Sequence, residues 1–281
     1  MGKVKVFSDS TSDLPSDLIV QHQIGILPLY VLFNEVSYRD GIDITTPDLY
    51  KKVEETGKLP KTAAPSPGDI ITAFKPHIDA DEDIIYIGLS QQLSATLNNA
   101  RLAALEFPEG RIEVVDSQNL STGIGLLVMR AVDLAAEGLD IHIIADHIKA
   151  MVPKVETEFI IDTLDYLHMG GRCSGLARFV GSMLKIRPSI KVVDGGMIPA
   201  QKYRGTRVKA LQGLLNTALA DKDNISPERI FVTHSLSDDA PVLQEKLRKH
   251  TAAKEVLISQ AGCVISSHCG PNTIGILYIK K

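Results

Sequence analysis

The chain has 281 residues, of which 44% are hydrophobic and 23% are charged, and its formal net charge is −4. This composition excludes wholesale disorder and allows one large domain or two ordinary domains, each with a core of its own. Since no apolar run approaches the ~20 residues that cross a bilayer and no signal-peptide pattern opens the chain, we expect a cytoplasmic protein without a transmembrane segment.

Strands and helices alternate through the first half of the sequence. Strands are predicted at residues 3–7, 26–33, 83–89 and 111–115, with helices at residues 46–56, from Ser94 onward and at residues 122–137. The strand at residues 83–89 is almost entirely apolar, which is typical of a strand buried on both faces of a sheet. This order predicts an α/β unit with a parallel sheet up to about residue 150.

Polar turns follow two strands of this predicted sheet. Ser8 to Asp13 form a run of small polar residues after the first strand, and Ser94 lies where a helix begins after the strand at residues 83–89. Ligands of such sheets bind at the carboxyl ends of strands, and a helix N-terminus offers unpaired N–H groups to an anion. The turns are therefore candidate sites for a carboxylate or phosphate, while Ser94 as an N-cap and Asp9 as a turn former are the plainer alternatives.

A proline-rich stretch occupies residues 58–69. It is predicted to be a stiff irregular loop, and it holds Thr62 among small residues.

The second half of the chain has a different order of elements. Strands are predicted at residues 156–162, 229–234, 255–259 and 273–279, with a hairpin at residues 189–202. Helices are predicted at residues 164–172 and after Thr206, with a helical apolar stripe at Leu176, Phe179, Val180, Met183 and Leu184. This half is predicted to be a mixed sheet with helices on one face.

A basic segment, residues 172–209, contrasts with the acidic remainder of the chain. It contains nine basic residues and one acidic residue, Asp194, so its net charge is +8. Such segregation favours a docking face for an acidic partner, with a solvated surface as the alternative. Nucleic acid is a weaker candidate, because the whole chain is acidic and the segment offers few aromatic side chains for base stacking.

The sequence lacks the motifs of several common classes of binding and catalytic site. The sequence has no GxxxxGK loop and no G-x-S-x-G elbow, and Gly123 and Gly125 have no third glycine to complete a dinucleotide fingerprint. Cys173, Cys263 and Cys269 are too few for a disulfide framework and lack a paired cluster of metal ligands. We therefore expect small buried thiols, no metal and no cofactor.

Four motifs together resemble the DegV family of bacterial fatty-acid-binding proteins. They are SDSTSDLP at residues 8–15, KT at residues 61–62 with PSP at residues 65–67, LSAT at residues 93–96 and SHCGP at residues 267–271. The resemblance implies a parallel three-layer α/β/α domain, residues 1–152, followed by a two-layer α/β domain with a mixed six-stranded sheet, residues 153–281. It also implies a long-chain fatty acid, such as palmitate, between the two domains.

The resemblance assigns the head-group site. Thr62 and Ser94 match the threonine and serine that hold the carboxylate in the family, and His268 matches a histidine close to the head group. Thr96 and Ser10 are further candidates near it. Burying a carboxylate costs several kcal/mol unless it is hydrogen-bonded, which gives a physical reason for hydroxyl groups to converge on it.

The resemblance also implies a partner. Some family members deliver the bound acid to a fatty acid kinase, which converts it to an acyl phosphate, and Arg204 matches a surface arginine tied to that docking. Arg172, in the same basic segment, is predicted to share the docking face. The chain is thus expected to be a carrier rather than an enzyme, and transient membrane contact is compatible with that role.

Two other functions compete with the carrier. A hydrolase of lipid esters would use Ser94 as nucleophile and His268 as base, although no third member of a triad is evident. An interaction module would act through the basic segment alone.

Overall fold

The computed structural model describes residues 3–172 and 186–281. The apolar stripe predicted at residues 176–184 and Cys173 lie outside these ranges. The strands are β1 (Lys3–Asp9), β2 (Gly25–Leu27), β3 (Tyr30–Phe33), β4 (Val36–Arg39), β5 (Lys61–Ala63), β6 (Glu82–Gly88), β7 (Ile112–Asp116), β8 (Val155–Ile160), β9 (Ile186–Val193), β10 (Gly196–Arg204), β11 (Ile225–Ser235), β12 (Glu255–Gln260) and β13 (Thr273–Lys280). The helices are α1 (Ser16–Gln21), α2 (Thr46–Thr56), α3 (Pro67–Asp79), α4 (Thr96–Ala104), α5 (Thr122–Ala136), α6 (Ile141–Met151), α7 (Asp165–Met169), α8 (Arg207–Ala220), α9 (Ala240–His250) and α10 (Cys263–Cys269).

The first sheet has four parallel strands in the order β2-β1-β6-β7. Helices α3 and α4 pack on one face, and α5 and α6 pack on the other. The central strand β6 is buried from Ile84 to Ile87, as expected for a strand covered on both faces. The predicted three-layer arrangement is confirmed.

The second sheet has six strands in the order β10-β9-β8-β13-β11-β12. Only the β11–β12 pair is parallel, so the sheet is mixed, as predicted. Its strands alternate between two cores. Ile274 and Ile276 face α8 and α9, whereas Leu277 joins Phe231 in the core beneath α5.

The strand predicted at residues 26–33 is wrong as a single element. Pro28 lies in the gap between β2 and β3, and its fixed φ and missing N–H end the first strand. β3 belongs instead to a three-stranded antiparallel sheet, β4-β3-β5, which the sequence analysis did not predict. The stretch at residues 58–69 is also more regular than predicted, since it contains β5 and the start of α3, where Ser66 and Asp69 form a capping box.

The predicted hairpin is present as β9 and β10, and its tip contacts the first half of the chain. The hydroxyl of Ser90, in the turn after β6, donates to the backbone oxygen of Gly195 at 2.8 Å. The side-chain amide of Gln92 donates to the backbone oxygen of Asp194. Gly195 has a φ of +84°, and a Cβ there would lie 2.6 Å from the Ser90 oxygen, so glycine is required at this contact.

No helix within the described ranges is both long enough and apolar enough to cross a bilayer.

Candidate functional site

A cavity of about 270 Å³ lies between the carboxyl end of the four-stranded sheet and one face of the six-stranded sheet. Its wall is mostly apolar. The apolar side chains come from both halves of the chain: Leu29, Leu89, Leu93, Leu120, Phe159, Leu167, Met197, Val264, Ile265 and Leu277. This volume is close to the lower end of the range for small-molecule sites, about 300–1,000 Å³, and is far larger than the voids of packed cores.

The two-residue period of the sheet delivers alternate side chains to this wall. Thr157 and Phe159 of β8 face the cavity, as do Gly275 and Leu277 of β13. Gly275 leaves the strands room to approach, because a Cβ there would lie 2.9 Å from the Cβ of Phe159 and 3.1 Å from a backbone oxygen. The sheet thus provides a tightly packed floor to the cavity.

Polar groups meet at one end of the cavity, where Thr62 and His268 are hydrogen-bonded. Thr62 Oγ1 lies 2.9 Å from His268 Nε2. Thr62 is placed by β5, where it pairs with Val31 of β3, and His268 lies in the last turn of α10. The pair therefore joins two elements that are more than 200 residues apart in the sequence.

The surroundings of His268 fix its protonation. Burial, reinforced by the nearby positive charge of Arg172, lowers the pKa of His268 to about 4, so the imidazole is neutral at pH 7. Its Nδ1 is buried without a hydrogen-bond partner in the described part of the chain and packs where a side chain on Gly170 would otherwise lie. An orphaned N–H is costlier than an orphaned lone pair, which places the proton on Nε2. Nε2 then donates to Thr62, and the Thr62 hydroxyl hydrogen is free for a ligand.

Ser94 lines the same cavity as Thr62. Its Oγ lies 2.8 Å from Thr96 Oγ1 and accepts from the Thr96 N–H at 3.2 Å. The N-cap of α4 is the neighbouring Ala95, whose methyl side chain cannot accept a hydrogen bond from the helix N-terminus. Asn99 in α4 donates to the backbone oxygen of Pro65 at 2.8 Å, and this bond ties the start of α4 to the loop after β5.

Arg172 lies at the cavity wall. Its guanidinium donates to the backbone oxygens of Leu93, at 3.3 Å, and Gly170, at 2.6 Å. It is the only cationic side chain among the lining residues in the ranges that the structure describes. It brings a positive charge to the end where Ser94 and His268 lie.

Hydroxyl groups elsewhere on the wall are engaged within the protein. Thr157 donates to Asn119 at 2.8 Å, Ser121 donates to the carboxylate of Asp13, and Thr273 donates to the backbone oxygen of Cys269 at 2.8 Å. Thr233 and Ser235 pair with Thr122 and Ser266, at 2.5 and 2.8 Å. The polar groups that remain for a ligand are thus the Thr62 hydroxyl hydrogen, the Arg172 guanidinium and Ser94, whose hydroxyl is shared with Thr96.

Two of the predicted head-group residues lie behind the wall. Ser10 Oγ accepts from the backbone N–H of Leu29 at 3.1 Å, and Thr96 is buried against Ser94. Neither is among the lining residues. A role for them at the head group stays a prediction.

The basic segment is partly neutralised. Arg187 and Arg207 pair with Asp162, at 3.3 and 2.9 Å, and Arg207 also pairs with Asp239 at 2.7 Å. Asp162 and Asp239, which lie outside the segment, therefore offset part of the charge that the sequence places there. Arg204, at the end of β10, is exposed and makes no ion pair with a described residue.

The residues that a hydrolase or a metal site would need do not come together within the described ranges. Ser94 bonds to Thr96 rather than to His268, and no carboxylate meets His268 Nδ1, so a nucleophile–base–acid series is not formed within the described ranges. Burial raises the pKa of Cys263 and Cys269 to about 12, which keeps them as thiols. No group of three or more potential metal ligands occurs in residues 3–172 and 186–281.

Fold and cavity together define an α/β protein that encloses a mostly apolar cavity with one polar end. The family model described as "Uncharacterised protein, DegV family" matches residues 3–281. A fatty acid-binding protein of Thermotoga maritima is 32% identical over 281 residues, covering 97% of this chain and 96% of its own. The chain belongs to the DegV family.

Solved structures agree with this assignment. A DegV family protein from Thermus thermophilus, described by its fatty acid binding, has a TM-score of 0.92 at 32% identity, covering 99% of this chain and 100% of its own. DegV of Bacillus subtilis, described as a fatty acid binding protein, has a TM-score of 0.89 at 28% identity, with 100% of each chain covered. These relatives are described as binding proteins, in line with the expectation of a carrier.

Proposed function

We propose that this chain binds a long-chain fatty acid such as palmitate and presents it to a fatty acid kinase for conversion to acyl phosphate. Thr62 and Ser94 hold the carboxylate, and the acyl chain fills the cavity. The observation that carries the proposal is a mostly apolar cavity in which the Thr62 hydroxyl hydrogen is free and which Ser94 and Arg172 also line, whereas the wall hydroxyls of Thr157 and Ser121 donate to protein acceptors. A single-headed amphiphile fits that distribution, and the relatives described as fatty-acid-binding proteins support it.

The energetics divide between tail and head. Burying about 14 methylenes at about 0.8 kcal/mol each provides roughly 11 kcal/mol of gross stabilisation, and the loss of rotational and translational freedom offsets part of it. The carboxylate must recover its lost hydration through donors. The freed hydroxyl of Thr62, the hydroxyl of Ser94 and the charge of Arg172 provide them. The tail thus drives binding and the head fixes its direction.

The binding proposal is tested first on the protein as it is purified. We expect native mass spectrometry to show a bound acyl chain, and added palmitate to bind to delipidated protein. Absence of both contradicts the proposal.

The head-group assignment is tested by removing hydroxyls. We expect Thr62→Val and Ser94→Ala each to weaken palmitate binding about 10- to 100-fold, because a hydrogen bond to a charged group contributes about 1.5–3 kcal/mol. Thr157→Val makes the same change on the wall, where the hydroxyl is engaged by Asn119, and should leave affinity within about threefold. Isothermal titration with palmitate measures all three, and unchanged affinity in the Thr62→Val/Ser94→Ala double variant contradicts the assignment.

The docking proposal concerns Arg204, which the fold leaves exposed and unpaired among described residues. We expect Arg204→Ala to keep palmitate affinity and to lower acyl phosphate formation by an added fatty acid kinase. Lys249→Ala, an exposed basic change on α9, is the control. Equal losses of binding and phosphorylation in Arg204→Ala would refute the separation of the docking face from the cavity.

A further inference from the structure

The polar run at residues 8–13, which begins at the end of β1, does not line the cavity and contains two buried carboxyl groups. Asp9 and Asp13 of this run, together with Asp40, are buried, and none of them forms an ion pair with a described residue. Burial raises the pKa of all three carboxyl groups, and N–H and O–H donors satisfy them instead of cations. Burying a carboxyl group without a cation is energetically unfavourable, so each of the three depends on the hydrogen-bond donors around it.

Two of these carboxylates hold the start of α10. Asp40 accepts from the backbone N–H groups of Cys263, at 2.7 Å, and Val264, at 3.3 Å. Asp13 accepts from the N–H of Gly262 at 2.8 Å. Because Asp40 uses both oxygens, the contact fixes the direction of the helix as well as its position.

The same helix ends in the head-group pair. α10 runs from Cys263 to Cys269 and carries His268 in its last turn, so the backbone N–H groups that the two carboxyl groups hold lie about 6–9 Å along the axis from residue 268. They come from the first half of the chain, as does Thr62. Through these contacts the first half of the chain sets the position of α10 relative to β5, the strand that carries Thr62, the hydrogen-bond partner of His268.

Asp13 also holds a strained part of the wall. It accepts from the hydroxyl of Ser121, a lining residue just before α5. Ser121 has φ +52° and ψ −145°, a conformation that residues other than glycine rarely adopt. One carboxylate thus secures both a strained wall residue and the base of α10.

We propose that Asp13 and Asp40 are positioning residues for the head-group end of the cavity. They orient α10 so that His268 meets Thr62, and Asp13 keeps Ser121 in the wall. The consequence for ligand affinity rests on the proposed binding of a fatty acid, whereas the consequence for His268 does not. The effect on ligand affinity and the effect on His268 can therefore be tested separately.

The experiment compares Asp13→Asn and Asp40→Asn with a destabilising change in a buried apolar side chain elsewhere. In Asp40→Asn the amide presents N–H to one of the two backbone N–H groups that the carboxyl group accepts, so α10 must shift. In Asp13→Asn the side-chain oxygen can still accept from Gly262 while the amide donates to the Ser121 hydroxyl, so the displacement is smaller. Ile70→Val is the control, because Ile70 is buried on the core face of α3 and does not line the cavity. Nitrogen NMR of histidine-labelled, ligand-free protein follows the His268 signal, assigned with His268→Gln, and titration with palmitate gives affinity.

We expect Asp40→Asn to move the His268 resonance, to raise its titration midpoint towards that of an exposed histidine, and to weaken palmitate binding about 2- to 30-fold, with smaller changes in the same direction in Asp13→Asn. Ile70→Val should change neither, even when its melting temperature falls equally. Asparagine variants that lose thermal stability and keep the His268 signal overturn the proposal.

Two further outcomes are decisive. If the asparagine variants do not fold, Asp40→Glu keeps charge and acceptors but displaces α10 by one methylene, and an unchanged His268 signal in that variant overturns the proposal. If wild-type protein binds no palmitate, the proposed function fails, and the histidine signal alone still decides the positioning role.

Discussion

His268 is a buried base whose charge depends on its surroundings, and this makes stability depend on pH. Its pKa is about 4 in the folded chain, against 6.5 for an ordinary histidine. The unfolded chain therefore binds more protons between these values, and stability that is complete above about pH 6.5 is lost as pH falls through 4. The loss amounts to at most about 3 kcal/mol.

We expect the melting temperature of the wild type to fall more between pH 7 and pH 4 than that of His268→Gln, whose amide can still donate to Thr62. Each kcal/mol corresponds to about 2–4 °C for a chain of this size class. Calorimetry across the pH range measures both proteins. Parallel curves would show that His268 does not carry the pH dependence.

Among individual residues, motifs identified side chains that the fold brings together, whereas burial could not be predicted. The motifs point to Thr62, Ser94 and His268, and all three line one cavity, while their roles at a head group stay predictions. Asp13 was seen only as part of a polar run. Nothing in a run of small polar residues says which side chains turn inward, because that depends on backbone N–H groups supplied by α10 from the far end of the chain.

Gly275 sets how closely β13 approaches β8 at the cavity floor. We expect Gly275→Ala to destabilise the fold by about 1–3 kcal/mol, because the added Cβ meets Phe159 and a backbone oxygen that cannot move aside. Gly68→Ala is the matched control. Its Cβ would meet nothing closer than 3.7 Å in α3, so we expect it to stabilise by about 0.4–1 kcal/mol. Urea denaturation compares them, and equal effects contradict the packing argument.

Elements with a strong period were predicted well, and short elements were not. The long helices α2 and α5 and the buried strand β6 lie close to their predicted bounds. β3, β4 and β5 were missed or merged, since strands of three or four residues carry little periodicity. Helix α10 was not predicted either, because its N-terminus is capped by Asp40 from a distant loop rather than by a local residue.

The largest core cluster takes side chains from both sides of residue 152. Leu127 and Ile144 of the first half pack in one cluster with Phe231 and Leu277 of the second. We therefore expect one cooperative unfolding transition for the whole chain, although the sequence predicts two domains. Two resolved calorimetric peaks would contradict this. A predicted domain boundary at residue 152 is consistent with a single unfolding transition, because the two parts share one hydrophobic core.

The tip of the β9–β10 hairpin bonds to Ser90 and Gln92 through its own backbone oxygens. The strength of this contact is consequently independent of the other side chains of the turn, as long as position 195 stays glycine. Substitutions elsewhere in the turn leave both hydrogen bonds intact, whereas a change at Ser90 or Gln92 removes a donor that the hairpin cannot replace. The contact is thus set by two side chains after β6 and by one glycine in the hairpin.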